Sequence, residues 1–255
     1  MAAARKRRSP LLGNHQRCWL WGRHLVRETL EANRWPIHEI HLADRLSDDE
    51  IAGIRSAAQR QQIPVSVESA SRLTQLSHTE DHQGFLAKMG PFPYVPVQDA
   101  LQASEENAIF LILDSIQDSH NFGAVIRSAE VFGVDAVVIG ERRQAAVNSL
   151  VARSSAGAVN RVPILRIADV AAFIQQLRER GTAVYGASEK GPQPIFDCDL
   201  NGSVALVIGN EGTGITPEVQ AACHGLLCIP QKGRIGSLNA AVAAGIVLYE
   251  VRRQR

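Results

Sequence analysis

The chain is poor in the patterns that mark several common classes of protein. It has four cysteines in 255 residues, Cys18, Cys198, Cys223 and Cys228, and no CxxC pair. That argues against a disulfide framework or a zinc site and for free, mostly buried thiols in a reducing cytoplasm. The eight histidines show no metal-ligand spacing; His38 and His41 are three apart, on a strand candidate. No apolar run approaches the roughly 18 residues of a membrane span. No GxGxxG follows a strand, and GxxxxGK[ST] is absent, so dinucleotide and P-loop sites are not indicated, nor is a nucleotide-dependent oxidoreductase.

Acidic residues are missing from one region only. Residues 1–27 carry seven Lys or Arg (Arg5, Lys6, Arg7, Arg8, Arg17, Arg23 and Arg27) and no Asp or Glu, leaving 20 basic against 26 acidic residues elsewhere. A basic tail on a mildly acidic body suits a polyanionic partner, because each phosphate contact releases counterions. A disordered solubilising tail over 1–14 is the plainer reading, and the Arg-rich start also faintly resembles an organelle transit peptide.

What is present reads as α/β. An amphipathic helix is expected over 19–34, strands at "IHEIHL", "IPVSV" and "GFLAKM", and a helix in "SDDEIAGIRSAAQRQQ" capped by Ser47. These give a small N-terminal domain, residues 15–90. The proline-rich stretch 91–107 reads as a linker. From 108 the pattern becomes strand–helix alternation, opened by the continuous apolar run "AIFLILD" of a doubly buried parallel strand. The C-terminal domain, 108–255, is therefore a mostly parallel sheet covered by helices.

Ligands of such sheets bind beyond the carboxyl ends of the strands. Three polar or Gly-containing loops fall there: "DSIQDSHNFGAVIR", "GNEGTGI" and "PQKGRIGSLN". On composition these indicate a small-ligand site. The glycines would let a ligand approach, or would serve turns needing positive φ.

Three longer segments are more specific: "DSIQDSHNFGAVIRSAEVFGVDAVVI" (114–139), "LVIGNEGTGI" (206–215) and "IPQKGRIGSLNAAVAAGIVLYE" (229–250). In order and spacing they resemble the signature motifs of the SpoU (TrmH) family of RNA ribose methyltransferases, in the SPOUT superfamily. "SSAGAVNRVPI" (154–164) resembles its intermediate segment. "WGRHLVRETLE" and "HQGFLAKM" resemble, more loosely, the ribosomal-protein-like RNA-recognition domain of its two-domain ribosomal members. Gln231 departs from the family, which often has Met there.

The resemblance implies a deep trefoil knot, S-adenosylmethionine as cofactor, methyl transfer to a ribose 2′-hydroxyl of RNA, a homodimer, and no metal. A guanosine of large-subunit (23S-type) rRNA is the implied substrate, with tRNA as the alternative. A non-catalytic RNA-binding or ribosome-assembly protein keeping the fold is the contrasting reading. By motif matching, the cofactor lies against Gly209, Ile229 and Leu238, with Ala187 and Gly212 nearby. Asn121, Arg127, Glu211, Ser237 and Asn239 match the polar active-site positions. Arg127, whose guanidinium stays protonated, is expected to hold an RNA phosphate and stabilise alkoxide charge. Asn121 would bind the ribose or orient Arg127. Glu211 would orient either residue and favour the cofactor's positive charge. Ser237 and Asn239 would meet the substrate, cap the last helix, or both. His120 is a weaker candidate base.

Overall fold

A computed structural model describes residues 11–12, 18–104, 106–234 and 236–255. The chain divides into two compact units, Met1–Pro93 and Tyr94–Arg255.

In the first unit the elements are β1 (Trp19–Trp21), α1 (Arg23–Ala32), β2 (Ile37–Ala43), α2 (Asp48–Arg60), β3 (Val65–Glu68), α3 (Ala70–Ser77) and β4 (Phe85–Met89). The sheet order is β1-β4-β2-β3. The single helix expected over 19–34 is split at Gly22, whose φ of 104° breaks the chain direction. Trp19–Trp21 instead pairs with β4. Ser47 caps α2 as expected, within a full capping box closed by Glu50. Sequence periodicity missed α3, which is opened by a second serine cap, Ser69. Of the basic tail, Leu11 and Leu12 pack on this unit, and the Leu12 N–H donates to the Met89 carbonyl at 3.0 Å. The remainder of 1–14 lies outside the described residues.

The second unit contains α4 (Val97–Ala103), β5 (Ile109–Asp114), α5 (Ser119–Val131), β6 (Ala136–Gly140), α6 (Ser149–Ser154), β7 (Ile164–Ile167), α7 (Val170–Glu179), β8 (Ala183–Ala187), β9 (Gln193–Pro194), β10 (Val204–Gly209), α8 (Pro217–Ala222), β11 (Gly225–Cys228) and α9 (Ala240–Gln254). Its seven strands run β7-β6-β5-β10-β8-β11-β9, and every pair is parallel. The stretch expected to be a linker to residue 107 is instead part of this unit beyond Pro93. Val95, Val97, Ala100 and Leu101 join its core, because an apolar helix face gains more from burial than from hydration.

All six residues of β5 are buried, as its unbroken apolar run requires. Phe110 and Ile112 share one face with Phe173, Ile174 and Leu177 of α7. On the sheet's other side α9 packs on β10 and on α5. Each fully buried Ile, Leu or Phe contributes about 1.5–3 kcal/mol, so the strand ends are fixed far more firmly than the exposed loops they carry. β5 and β10 pair in register to their last residues, Asp114 opposite Gly209. The loops that follow them therefore leave the sheet side by side.

Candidate active site

Asp114 fastens those two loops. It is buried, and its Oδ2 accepts the Thr216 N–H at 2.6 Å while Oδ1 accepts from the Ser115 hydroxyl at 3.1 Å. A second tie runs from Asn210 Nδ2 to the Ser115 carbonyl at 2.9 Å. Asn210 Oδ1 turns back on its own loop and accepts from the Gly212 N–H at 2.9 Å and the Thr213 N–H at 3.2 Å. The backbones of Asn210 and Gly214 exchange both hydrogen bonds, closing the loop. Asn210 is not among the residues matched by motif. The signal was there, since Asn before Glu-Gly after a strand is the composition of an Asx turn.

Glu211 projects from this closed loop. Its Oε1 accepts from Asn121 Nδ2 at 2.6 Å. Asn121 stands at the first turn of α5, where Asp118 caps the helix by accepting the Asn121 N–H at 2.7 Å. Asn121 Oδ1 in turn accepts from Asn239 Nδ2 at 3.0 Å. Asn239 is the N-cap of α9, with Oδ1 accepting from the Ala241 and Val242 N–H groups at 2.9 and 3.3 Å. The chemistry fixes every amide orientation. An ionised carboxylate only accepts, so Asn121 must turn its NH₂ to Glu211 and its oxygen to Asn239. Asn239 must then donate, leaving its oxygen for the helix.

A cleft of about 480 Å³ opens beside this relay, over the ends of β10, β8 and β11. Of the ten residues matched by motif, seven line it: Ala187, Gly209, Glu211, Gly212, Ile229, Ser237 and Leu238. Asn121 and Asn239 join it through Glu211. Arg127 does not. It lies six residues past Asn121 on α5, about 120° around the helix and about 9 Å along it. It is exposed, with no hydrogen bond or ion pair among the described residues. Ser237 also makes no hydrogen bond among them, so capping falls to Asn239 alone. Gln231, the departure from the family pattern, is exposed on the cleft wall.

The two glycines expected to make room for a ligand differ. A Cβ on Gly209 would lie 2.6 Å from the Gly214 carbonyl oxygen, so the loop's own backbone demands that glycine. Neither Gly209 nor Gly212 has positive φ. A Cβ on Gly212 would meet only Asn210 Oδ1, at 3.4 Å, which leaves its bare surface open to a bound molecule. A further close approach sits under the relay. Gly123 lets α5 lie against α6, where an added Cβ would come within 2.6 Å of the Val151 carbonyl oxygen.

The cleft fits an adenosyl sulfonium. Ile208, Ile229 and Leu238 offer apolar surface, loop backbone offers donors and acceptors, and Glu211 offers negative charge. The thiols take no part in it. Cys18, Cys198 and Cys223 are buried, and burial pushes the Cys223 thiol up to about 11. Among the described residues no group of three or more His, Cys, Asp or Glu could hold a metal ion.

A parallel sheet with a cleft beyond its strand ends and a carboxylate–amide relay at the rim defines an α/β ligand-binding unit. Residues 108–249 match the SpoU rRNA methylase family, and residues 19–95 match the substrate-binding domain of RNA 2′-O ribose methyltransferases. The chain belongs to the SpoU family of RNA methyltransferases. It is 33% identical over 245 residues to the Bacillus subtilis protein YacO, named for the TrmH family of tRNA/rRNA methyltransferases, covering 95% of this chain and 98% of that one. A Staphylococcus aureus protein named for the same family is 35% identical over 237 residues, covering 92% and 95%. Among solved structures, AviRb of Streptomyces viridochromogenes, a SpoU methyltransferase in complex with AdoMet, superposes with a TM-score of 0.82 at 22% identity, covering 95% and 94%. An AdoMet-bound rRNA methyltransferase from Sinorhizobium meliloti gives 0.81 at 25%, covering 93% and 87%. The TrmH/SpoU tRNA-modifying enzyme of A. aeolicus gives 0.54 at 27% and covers 58% of this chain and 76% of its own.

Proposed function

We propose that this enzyme binds S-adenosylmethionine in the cleft and transfers its methyl group to the 2′-hydroxyl of a guanosine ribose in large-subunit rRNA. The observation that carries the site assignment is the Glu211–Asn121–Asn239 relay at the rim of the cleft. When bound, the cofactor supplies an electrophilic methyl on a positively charged sulfur. Ile229 and Leu238 would hold its adenine, Gly212 would give it room, and Glu211 would favour its charge. Asn121, Asn239 and Ser237 would orient the ribose, and positioning of this kind accounts for a large part of such a reaction. Arg127 would hold an RNA phosphate. Among the described residues it has no hydrogen bond or ion pair, which supports that role.

The first unit would recognise the RNA. It matches a substrate-binding domain, and the rRNA-modifying neighbour covers 93% of this chain, too much to leave out either unit, whereas the tRNA-modifying one covers 58%, fewer residues than the second unit holds. That favours rRNA over tRNA. A homodimer and a knotted second unit belong to the same reading.

Calorimetry with S-adenosylmethionine should find about one site per chain; no binding at millimolar cofactor would sink the enzyme reading. Removing residues 1–93 should weaken RNA binding and spare cofactor binding. Mapping ribose methylation across total RNA, with and without the gene, should show one lost rRNA mark; a lost tRNA mark would move the substrate to the alternative.

A further inference from the structure

We propose that Asn210 is a positioning residue for methyl transfer: it locks the loop carrying Glu211 to the loop leading into Asn121, and so holds the Glu211–Asn121 contact in register. The inference rests on the role given to Glu211 above.

The carboxamide of Asn210 works in two directions at once. Its oxygen gathers the Gly212 and Thr213 N–H groups at 2.9 and 3.2 Å, and the Thr213 hydroxyl at 3.4 Å, shaping the turn directly after Glu211. Its nitrogen donates across 95 positions to the Ser115 carbonyl at 2.9 Å. Ser115 has a φ of 66°, which a non-glycine residue holds only where its surroundings impose it. Asn210 and Asp114 each contribute to that constraint. Downstream of Ser115, the Ile116 N–H donates to Gln144 Oε1 at 2.9 Å, and Asp118 then caps α5 on the Asn121 N–H. One side chain thus fixes both the Glu211 turn and the approach to Asn121. Only an amide does this, because the loop side needs an acceptor and the Ser115 side needs a donor.

Asn210→Asp separates the two functions. The shape and the loop-side acceptor remain, while the donor to Ser115 is replaced by an oxygen facing a carbonyl. Asn210→Ala loses both. We expect Asn210→Asp to lower the single-turnover transfer rate about tenfold or more, the scale of an ångström-sized misplacement. Because Asn210 is half-buried and lines the cleft, S-adenosylmethionine affinity should change too, but by a smaller factor than the rate. Asn210→Ala should lose affinity as well. The decisive measurement is a double-mutant cycle with Glu211→Gln. If Asn210 acts through Glu211, Asn210→Asp has little further effect on the rate in the Glu211→Gln background.

A wild-type rate in Asn210→Asp, or additive losses in the cycle, overturns the inference while leaving Glu211 its role. A wild-type rate in Glu211→Gln overturns both. Thermal melts accompany each variant. Should Asn210→Asp fail to fold, Asn210→Ser, whose hydroxyl can serve one loop but not both, takes its place in the cycle with the same expected outcomes.

Discussion

Asn239 donates to Asn121 over 3.0 Å, although 118 positions separate them in the chain. The same Asn239 side chain caps α9 through its oxygen. Structure and site therefore share one residue, and substitution can part them. Asn239→Ala should cost about 1 kcal/mol of stability, the usual cost of losing a cap. Asn239→Ser should keep most of that stability, since a hydroxyl also caps, but cannot span to Asn121. Both should transfer methyl at least about tenfold more slowly. Thermal melts beside single-turnover assays separate the two losses; a fast Asn239→Ser would remove the relay from catalysis.

Among the described residues Arg127 makes no hydrogen bond or ion pair. Arg127→Ala should therefore leave folding and cofactor affinity unchanged while lowering transfer about a hundredfold or more, the scale of removing a charge-stabilising donor. Arg127→Lys should recover only part, because an ammonium cannot reproduce the planar fork. Retained activity in Arg127→Ala would refute the phosphate-holding role.

Gly209 and Gly212 should respond oppositely. Gly209→Ala forces a methyl against the Gly214 carbonyl. It should destabilise the protein by about 1–3 kcal/mol, as overpacking does. Gly212→Ala should leave stability within about 0.5 kcal/mol, as an exposed change does, yet weaken S-adenosylmethionine binding. Calorimetry on Gly212→Ala decides whether that bare surface faces the cofactor.

One helix contact should survive until strongly acidic pH. Hydrogen bonds from Arg253 and then Gln254 hold the Glu250 carboxyl at about 2, below its ordinary 4.5. A carboxyl depressed in the folded state adds stability above its unfolded value, and that stability disappears as the pH falls toward the folded value. Glu250→Gln should thus lower the melting temperature at neutral pH, and the difference should shrink between 4.5 and 2. A pH-independent difference would assign the effect to packing instead.

Much of this arrangement was legible in the sequence. The buried run of β5 and the Ser47 cap follow from local rules, and the structure has each. The boundary at Pro93 was less legible, because three prolines mark turns without saying which unit the next helix joins. Gly22 and α3 were missed because a short strand and a short helix carry little periodicity. The motifs located the cleft residues, yet not the reason for Gly209, which is an approach of the chain to itself. Nor did they single out Asn210, whose partner Ser115 is nearby only once β5 and β10 have paired.

The parallel register that sets Asp114 opposite Gly209 also bears on biosynthesis. The relay draws on residues 121, 211 and 239, in that order of emergence from the ribosome. A nascent chain displays the RNA-recognition unit long before β10 has slotted between β5 and β8. Until the segment around Asn239 has also emerged, Asn121 has nothing to accept from. On the function proposed above, an unfinished chain would meet nucleic acid before it could modify it, and catalytic competence would arrive only with the later-made half of the second unit.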